Sequence, residues 1–579
     1  MRKLLFAVVA VTAAAITGVV SVGSDAGSDA RPAKYVVLYE QGASPAAVKA
    51  AVVRAKGRIL RANNKVGVAT AISANPRFRG EAEASWAIKG VARNVTIGRA
   101  KPSLRPKLSP EQMRAFRRAS RGTARQQRSS GGGYHHHNSA EPLASLQWDM
   151  RMIHATSDGS YRVERGSKRV LVGILDTGID GNHPDIAPNF NRALSRNFTT
   201  DVPLVDGPCA AEPDQSCSDP NDVDENSHGT HVASTVASPI NGLGMAGVAP
   251  NVTLVNIRAG QDSGFFFLQP SVDALTYAGD NGIDVVNMSY YIDPWLYNCG
   301  NPLHPVPEDS PADRAEQKTI IEATQRALDY AHMHGVTLIA AAGNGHEDII
   351  IPTHDSTSPD FPPGTEHERT VNNTCLDLPT EGNNVISVSS VGPSKTKADY
   401  SNWGYGEIDV AAPGGWFRDT GWTPANPNGG VPNQILAAYP KNVAEEAGDL
   451  NPDGTPNTPF VVRDCKGSTC AYYQWIQGTS MASPHAVGVA ALIVSQYGHR
   501  EGTGITLHPL FTQAYLEASA TDTACMSNRP DGAFDYPQRN NSPAYTTFCQ
   551  GTPVYNGVYG HGIVDALNAV RIGHAIHQQ

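Results

Sequence analysis

The sequence predicts an α/β protein, a three-layer αβα arrangement around a mostly parallel sheet that a small α+β unit precedes. From about residue 141 onward, apolar runs alternate with helix-forming runs, the pattern of βαβ units with right-handed crossovers. The first apolar run, residues 170–175, is typical of a strand covered on both faces. Of the 579 residues, 40% are hydrophobic, so the chain can bury a large core.

The later elements follow from the same alternation and from turn residues. Asn281 and Gly282 end one predicted helix, and Gly335 ends the next. The predicted elements are helices over 271–278 and 311–334 and strands over 283–288 and 336–342. Gly- and Pro-rich stretches predict long surface loops over 201–225, 345–383 and 416–474. Because ligands bind at the carboxyl ends of the strands in such sheets, functional residues are expected there.

Residues 31–100 predict the small α+β unit. A β-branched and aromatic run over 35–39 predicts a strand, and residues 66–72 predict a second one. Between them, residues 44–56 carry the N-cap, the early proline and the composition of a helix. A unit of this size has a small core and is often stable only against a partner.

The net charge of −9 conceals two opposite halves. Residues 1–140 hold 24 Lys and Arg against 6 Asp and Glu, a net +18, whereas residues 141–579 carry a net −27. The basic front is compatible with nucleic-acid binding or with a segment that sits on an acidic partner and is later removed. The acidic main body argues against nucleic acid, because phosphates would be repelled. Residues 101–140, basic and then rich in Gly, Ser and His, predict a flexible linker that is removed on maturation.

Residues 1–30 predict a secretory signal. Arg2 and Lys3 precede an uncharged run that ends at Ser24, and small-residue patterns follow it. A membrane anchor is the alternative, because about 20 apolar residues can span a bilayer, but Thr, Gly and Ser interrupt this run. We therefore expect a secreted, extracellular monomer with no membrane association after signal removal.

All eight cysteines lie in the acidic part of the chain, which fits export. Eight cysteines allow 105 pairings, so the sequence does not fix their connectivity. Proximity suggests the pairs Cys209–Cys217, Cys465–Cys470 and Cys525–Cys549, which leaves Cys299–Cys375. Metal ligation is the competing interpretation, but none of the spacings is C-x-x-C.

Three segments carry residues for nucleophilic catalysis. Asp176 follows the first apolar run directly, His228 opens the pattern 228–233, and Ser480 lies in the small-residue segment 478–485 at a predicted helix start. A serine hydroxyl is a poor nucleophile until a base takes its proton, and the base needs a third group to orient it. These residues supply the three chemistries in the order Asp, His, Ser. His231, one turn further on, is predicted to be a packed helix residue.

With these motifs the chain resembles the subtilisin-like serine proteases, the subtilase family. The matching segments are 172–178, 228–233, 340–344 and 478–485, and the resemblance covers roughly residues 141–579. It implies that Ser480 is the nucleophile, His228 the base and Asp176 the group that orients it. It also implies that the side-chain amide of Asn344 donates to the oxyanion, beside the Ser480 backbone N–H.

Further roles are implied by the resemblance alone. Ser289 and Gly343 would line the substrate cleft, although two tyrosines after Ser289 depart from the small residues usual there. Asp185 and Asn241 resemble a calcium site of the family, with a simple structural turn as the alternative. Residues 31–100 resemble the family's inhibitory propeptide, and the opposite charges of the two parts favour its docking. No organic cofactor is implied for catalysis.

The sequence therefore predicts a secreted serine endopeptidase that cuts polypeptides through an acyl-enzyme and is matured by propeptide removal. An esterase or peptide ligase on the same triad and a non-catalytic binding pseudoprotease are the alternatives, and the intact triad argues against the last. The loop 206–225 holds seven carboxylates and no Lys or Arg just before His228. Such a run is usually a solvated face, and a preference for basic substrates is the alternative hypothesis.

Overall fold

The computed structural model describes residues 32–94, 141–211 and 215–572. The predicted signal, 1–30, and the predicted linker, 101–140, lie outside these ranges and stay predictions. Within the described ranges, no helix combines the length and the apolar character that crossing a bilayer requires.

The N-terminal unit is a four-stranded antiparallel sheet with two helices. Its strand order is β2-β3-β1-β4. The elements are β1 (Ala33–Tyr39), α1 (Pro45–Arg54), β2 (Gly57–Asn63), β3 (Val68–Ser73), α2 (Phe78–Glu83) and β4 (Ile88–Asn94). The two predicted strands and the predicted helix are confirmed, and the Ser44 hydroxyl caps α1 by accepting from Ala47 N at 3.2 Å. β2 escaped prediction because it is an edge strand with an exposed, charged face.

The main unit is built on a seven-stranded sheet in the order β11-β10-β9-β8-β5-β7-β6. The pairings between these strands are all parallel. The strands are β5 (Leu171–Leu175), β6 (Arg196–Asn197), β7 (Thr253–Arg258), β8 (Val285–Met288), β9 (Thr337–Ala341), β10 (Val385–Val391) and β11 (Val410–Pro413). The strands predicted from apolar runs are therefore confirmed to within two residues.

Helices cover both faces of this sheet, which gives the predicted three layers. In the main unit, the helices between residues 141 and 333 are α3 (Trp148–Met152), α4 (His228–Ala237), α5 (Leu268–Asp280) and α6 (Pro311–Met333). Val172 and Ile174 of β5 pack into a core shared with α4, whereas Leu175 joins a second core with α5 and α6. Alternate residues of one strand thus enter different cores, because successive side chains point to opposite faces of a sheet.

A second, antiparallel sheet interrupts the predicted loop 416–474. It has the order β12-β14-β13 and is formed by β12 (Ile435–Ala438), β13 (Val461–Lys466) and β14 (Thr469–Ile476), with α7 (Lys441–Glu446) between the first two. The loop prediction was wrong here because the aromatic residues of β14 are buried by a distant segment. Tyr473 and Trp475 pack against Leu243 and Met245 in a separate core.

The last part of the chain begins with the long buried helix α8 (Thr479–Tyr497), which shares the core of α4. The remaining elements are β15 (His499–Glu501), β16 (Gly504–Thr506), α9 (Pro509–Ser519), β17 (Ala533–Phe534), β18 (Thr547–Phe548), β19 (Gly551–Thr552), β20 (Tyr555–Asn556) and α10 (Ala566–Ala569). All eight cysteines are paired as proximity suggests, in the bonds Cys209–Cys217, Cys299–Cys375, Cys465–Cys470 and Cys525–Cys549.

The N-terminal unit packs its sheet on α5 and α6. Val36 and Leu38 of β1 share the core of these two helices. Around this apolar contact, Arg93 donates to Asp313 at 3.1 Å and to Glu316 at 3.2 Å. Arg61 pairs with Asp273 at 2.6 Å, and Lys65 pairs with Asp280. The basic front and the acidic main body therefore meet through ion pairs that surround an apolar centre.

Candidate active site

Asp176 lies at the carboxyl end of β5 and is fully buried. Its Oδ1 accepts from the Thr177 backbone N–H at 2.8 Å and lies 2.8 Å from Nδ1 of His228. With Asp176 ionised, Nδ1 carries the shared proton, so Nε2 of His228 is left as an acceptor. The structure thus brings two of the three predicted catalytic residues into direct contact.

His228 is the first residue of α4, and its side chain is 27% exposed. Burial acts to lower the pKa of His228, but the charge and the hydrogen bond of Asp176 outweigh burial, so the pKa lies above its usual value. Gly229 next to it allows a close approach, because a Cβ there would lie 2.1 Å from the Gly178 carbonyl oxygen.

Asp224 holds the start of α4 and was missed by sequence reasoning. Its buried carboxylate accepts from the backbone N–H groups of Asn226, Ser227 and Thr230 at 3.0 Å each, and from the Thr230 hydroxyl at 2.6 Å. Such a group satisfies the free N–H groups of a helix start. An acid four residues before His228, at a predicted helix start, was the signal available in the sequence.

Ser480 is the second residue of α8, so its backbone N–H has no acceptor within the helix. Its hydroxyl donates to the Ser289 carbonyl oxygen at 3.4 Å, and the Ser289 hydroxyl donates back to the Ser480 carbonyl oxygen at 3.1 Å. Among the described residues, the Ser480 hydroxyl makes no hydrogen bond to His228. Ser289 directly follows β8, which is adjacent and parallel to β5. The contact with Ser289 therefore places Ser480 at the same sheet edge as Asp176.

Asn344 follows β9 and presents its side chain beside the start of α8. Its Oδ1 accepts from the Thr479 backbone N–H at 2.9 Å and from the Thr479 hydroxyl at 3.0 Å. These two bonds fix the orientation of the amide, and Nδ2 makes no hydrogen bond to the part of the chain that the structure describes. Nδ2 of Asn344 and the N–H of Ser480 are thus two donors that flank the start of one helix.

Ser289 and Gly343 border the gap between the ends of β8 and β9. The two strands are adjacent, with Met288 opposite Ala340. The Ser289 side chain is largely buried and serves the contact with Ser480. The two tyrosines that follow have partners of their own, because Tyr290 stacks on Phe266 and Tyr291 donates to Asp360 at 2.5 Å.

His231 is buried in α4, as predicted for a packed helix residue. Its Nε2 lies 3.2 Å from the Ile435 carbonyl oxygen and 3.1 Å from that of Gln474. Burial lowers the pKa of His231 to about 3, so the ring stays neutral and joins the second sheet to α4.

Asp185 and Asn241 carry oxygen atoms of the kinds that calcium prefers, but these oxygens already accept hydrogen bonds. Asp185 Oδ1 accepts from the Asn241 amide at 3.0 Å, and Oδ2 accepts from Met245 N at 3.2 Å and from the Tyr473 hydroxyl at 3.1 Å. Burial raises the pKa of Asp185 to about 8. The Lys466 ammonium donates to the Asn241 carbonyl oxygen at 2.6 Å. Because these donors and this cation already engage the loop, the side chains as arranged do not fit a calcium ion.

Three carboxylates, Asp201, Asp219 and Asp262, lie close enough together to hold a metal ion. A guanidinium already lies among them. Arg258 is fully buried, pairs with Asp219, and lies 2.8 Å from Asp262 and 3.7 Å from Asp201. Arg258 supplies one positive charge to this cluster, and burial raises the pKa of Asp262 to about 8, so the described contacts are those of a buried ion-pair network.

Comparisons with known proteins identify the family of this chain. A model of the subtilase family matches residues 167–540. Subtilisin DY from Bacillus licheniformis is 28% identical over 328 residues, which cover 57% of this chain and 77% of that protein. Thermitase from Thermoactinomyces vulgaris is 25% identical over 354 residues, which cover 61% of this chain and 84% of that protein.

A solved structure shares the fold. It is the epidermin leader peptide processing serine protease from Staphylococcus aureus, with a TM-score of 0.59 and 21% identity, covering 94% of this chain and 98% of that chain. The family match spans more than half of the chain and includes the segments of Asp176, His228, Asn344 and Ser480. The chain therefore belongs to the subtilase family and is a subtilisin-like serine endopeptidase.

Proposed function

We propose that Asp176, His228 and Ser480 form the catalytic triad of a secreted endopeptidase that works through an acyl-enzyme. The observation that carries this proposal is the 2.8 Å contact between His228 Nδ1 and Asp176 Oδ1, at the sheet edge where α8 presents Ser480. This contact leaves Nε2 of His228 free to take the proton of the serine hydroxyl.

In the first step the Ser480 hydroxyl turns from the Ser289 carbonyl oxygen toward His228 and attacks the scissile carbonyl. His228 takes the proton at Nε2 and then delivers it to the leaving amine, which leaves the acyl group on Ser480 Oγ. A water molecule then attacks the acyl-enzyme while His228 takes its proton; the acyl–Oγ bond breaks, the carboxylic acid product leaves, and His228 returns the proton to Ser480 Oγ. Asp176 stabilises the imidazolium and keeps the proton on Nδ1 throughout.

The negative charge that develops on the carbonyl oxygen is held by two donors. These are Nδ2 of Asn344 and the backbone N–H of Ser480 at the start of α8, where the helix dipole also favours negative charge. Thr479 fixes the amide of Asn344 before substrate arrives, so the donor needs no reorganisation in the transition state. The substrate chain lies along the gap bordered by Ser289 and Gly343.

We further propose that residues 31–100 are the inhibitory propeptide, that 1–30 direct secretion, and that 101–140 are removed on maturation. The ion pairs of the N-terminal unit with α5 and α6 support the first of these roles, because they surround an apolar centre on the body that carries the triad. The polypeptide substrates would then gain access only when this unit is released.

The test compares secreted wild type with Ser480→Ala by the masses of the proteins in the medium. We expect wild type to be shortened to about residues 141–579, and the variant to keep its basic front. On a peptide substrate, the variant should lose about 10⁶-fold in turnover, the loss known for a subtilisin.

A variant that is cut like wild type would assign maturation to another protease and reject self-processing. A variant that keeps peptidase activity within tenfold of wild type would reject Ser480 as the nucleophile. Both measurements use one pair of proteins, so maturation and catalysis are judged separately.

A further inference from the structure

Asp377 lies on a segment that is tied both to the chain after β8 and to the end of β9. Its neighbour Leu376 pairs with Asn298, and its other neighbour Leu378 accepts from the Ile292 backbone N–H at 2.8 Å. Both contacts tie this segment to the chain that continues from β8. On the other side, the Thr380 hydroxyl donates to the Ala341 carbonyl oxygen at 2.7 Å, at the end of β9.

The Asp377 carboxylate faces the backbone beside the proposed oxyanion donor. A Cβ built on Gly343 would lie 3.4 Å from Asp377 Oδ2, and Gly343 directly precedes Asn344. Gly343 has φ +96°, so this backbone conformation favours glycine. The Asn402 amide also lies against Gly343, because the same Cβ would lie 2.5 Å from Asn402 Nδ2, so only glycine leaves room for both the amide and the carboxylate.

Asp377 is buried without a compensating partner. Its side chain is 3% exposed, and its Oδ1 has no hydrogen-bond partner among the described residues. The neighbouring acids are partnered, because Asp355 pairs with Arg369 at 2.7 Å and Glu347 accepts from the Tyr297 hydroxyl at 2.5 Å. Burial first, and then the charges of Glu347 and Asp355, raise the pKa of Asp377 well above its usual range.

A buried carboxyl group without a cation is costly, and such groups are found where a ligand supplies the missing partner. A peptide bound with its scissile carbonyl at Asn344 and Ser480 places the side chain of the residue that contributes that carbonyl, the P1 residue, beside Gly343. Lysine and arginine have long apolar stems that can pack between the two strand ends and a charged head that can reach the buried Asp377 carboxylate.

We infer that Asp377 binds the cationic head of a lysine or arginine at P1 and makes this enzyme a protease that cuts after basic residues. The inference rests on the proposed function and adds its substrate class. It assigns the preference for basic substrates to Asp377 instead of to the acidic loop 206–225. In that loop Asp219 pairs with Arg258, Asp222 pairs with Arg192, and Asp224 caps α4.

The test uses two peptides that differ only at P1, where one carries arginine and the other its neutral analogue citrulline. With mature wild type, we expect kcat/KM for the arginine peptide to exceed that for the citrulline peptide by about 100-fold or more. In Asp377→Asn, which keeps the shape and removes the charge, this ratio should fall below about tenfold. The matched control is Glu501→Gln, which removes one exposed carboxylate elsewhere and should keep the wild-type ratio.

A second measurement needs no variant. Benzamidine, a free cation shaped like the arginine head, should inhibit wild type competitively against the arginine peptide. The inference is overturned if wild type has a ratio of kcat/KM for the arginine and citrulline peptides near one, or if millimolar benzamidine does not inhibit it. In that case, cleavage of both peptides would still support the proposed function. If wild type cleaves neither peptide nor any other and Ser480→Ala behaves identically, the proposed function itself is rejected.

Discussion

Removing the amide donor of Asn344 tests the geometry of the site most directly. We expect Asn344→Leu to lower kcat by 10²–10³ with little change in KM, because the donor acts on charge that exists only in the transition state. The structure supplies two donors, Nδ2 of Asn344 and the N–H of Ser480, so one remains. Loss of one donor corresponds to about 2.7–4 kcal/mol, and each 1.36 kcal/mol is tenfold in rate.

Thr479→Val is the matched control for this change. It removes the hydroxyl that donates to Asn344 Oδ1 at 3.0 Å but leaves the backbone N–H of Thr479, which holds the same oxygen at 2.9 Å. The amide should therefore stay oriented, and the loss in kcat should stay below about tenfold, the value of one neutral hydrogen bond.

The assay is steady-state hydrolysis of a chromogenic peptide, with active sites counted by a sulfonyl fluoride that modifies the nucleophile. Counting active sites separates lost chemistry from lost folding. If Asn344→Leu turns over within tenfold of wild type per titrated site, the assignment of Asn344 to the oxyanion is refuted. If Thr479→Val loses as much as Asn344→Leu, the amide is not held by the backbone N–H as described.

Three further predictions follow from charges in the structure. Asp176→Asn should lower kcat by about 10⁴-fold. Its residual activity should begin at lower pH, because burial without the Asp176 charge lowers the pKa of His228 and the base is active when neutral. A pH–rate profile whose acid limb stays at the wild-type position contradicts this. A chelator should leave the thermal midpoint of unfolding unchanged, and a midpoint that falls by more than about 5 °C would establish a bound divalent ion. Lys466→Ala, which removes the donor to the Asn241 carbonyl oxygen, should lower the free energy of unfolding by about 1 kcal/mol. Arg93→Ala should release the N-terminal unit from the cleaved protein in gel filtration. The change leaves the Glu316 carboxylate without its ion pair, and the Glu316 side chain is only 2% exposed. Co-elution of the two parts, as in wild type, contradicts this.

The residues with local signals could be predicted. Three of the seven parallel strands, β5, β8 and β9, were predicted from their apolar runs. Asp176, His228, Asn344 and Ser480 each lie in a short motif that follows a strand or opens a helix. Three disulfides join near neighbours in the sequence, whereas Cys299–Cys375 spans 76 residues and followed only as the remaining pair. For the motifs, the strands and the three short disulfides, the segment's own composition carries the information.

Other residues had no such signal. Asp377 lies in the stretch 345–383, whose Gly and Pro content predicts only a surface loop, and the antiparallel sheet of β12, β13 and β14 was hidden in 416–474 for the same reason. Lys466 is far in sequence from Asn241, although its ammonium donates to that carbonyl oxygen. What these residues do depends on which distant segment lies against them.

The sequence by itself determined the fold class, the family and the chemistry of this protein, because motifs that chemistry requires are local and regular elements have their own periodicity. Only the tertiary structure decided where charges are compensated. It brought a lysine to the loop expected to hold calcium, and it engaged Asp219, Asp222 and Asp224 with partners inside the main unit. Among the described residues, it left Asp377 beside Gly343 with no ion-pair partner. Charge compensation is a property of neighbours in space, and burial, which sets its cost, exists only once the chain has packed.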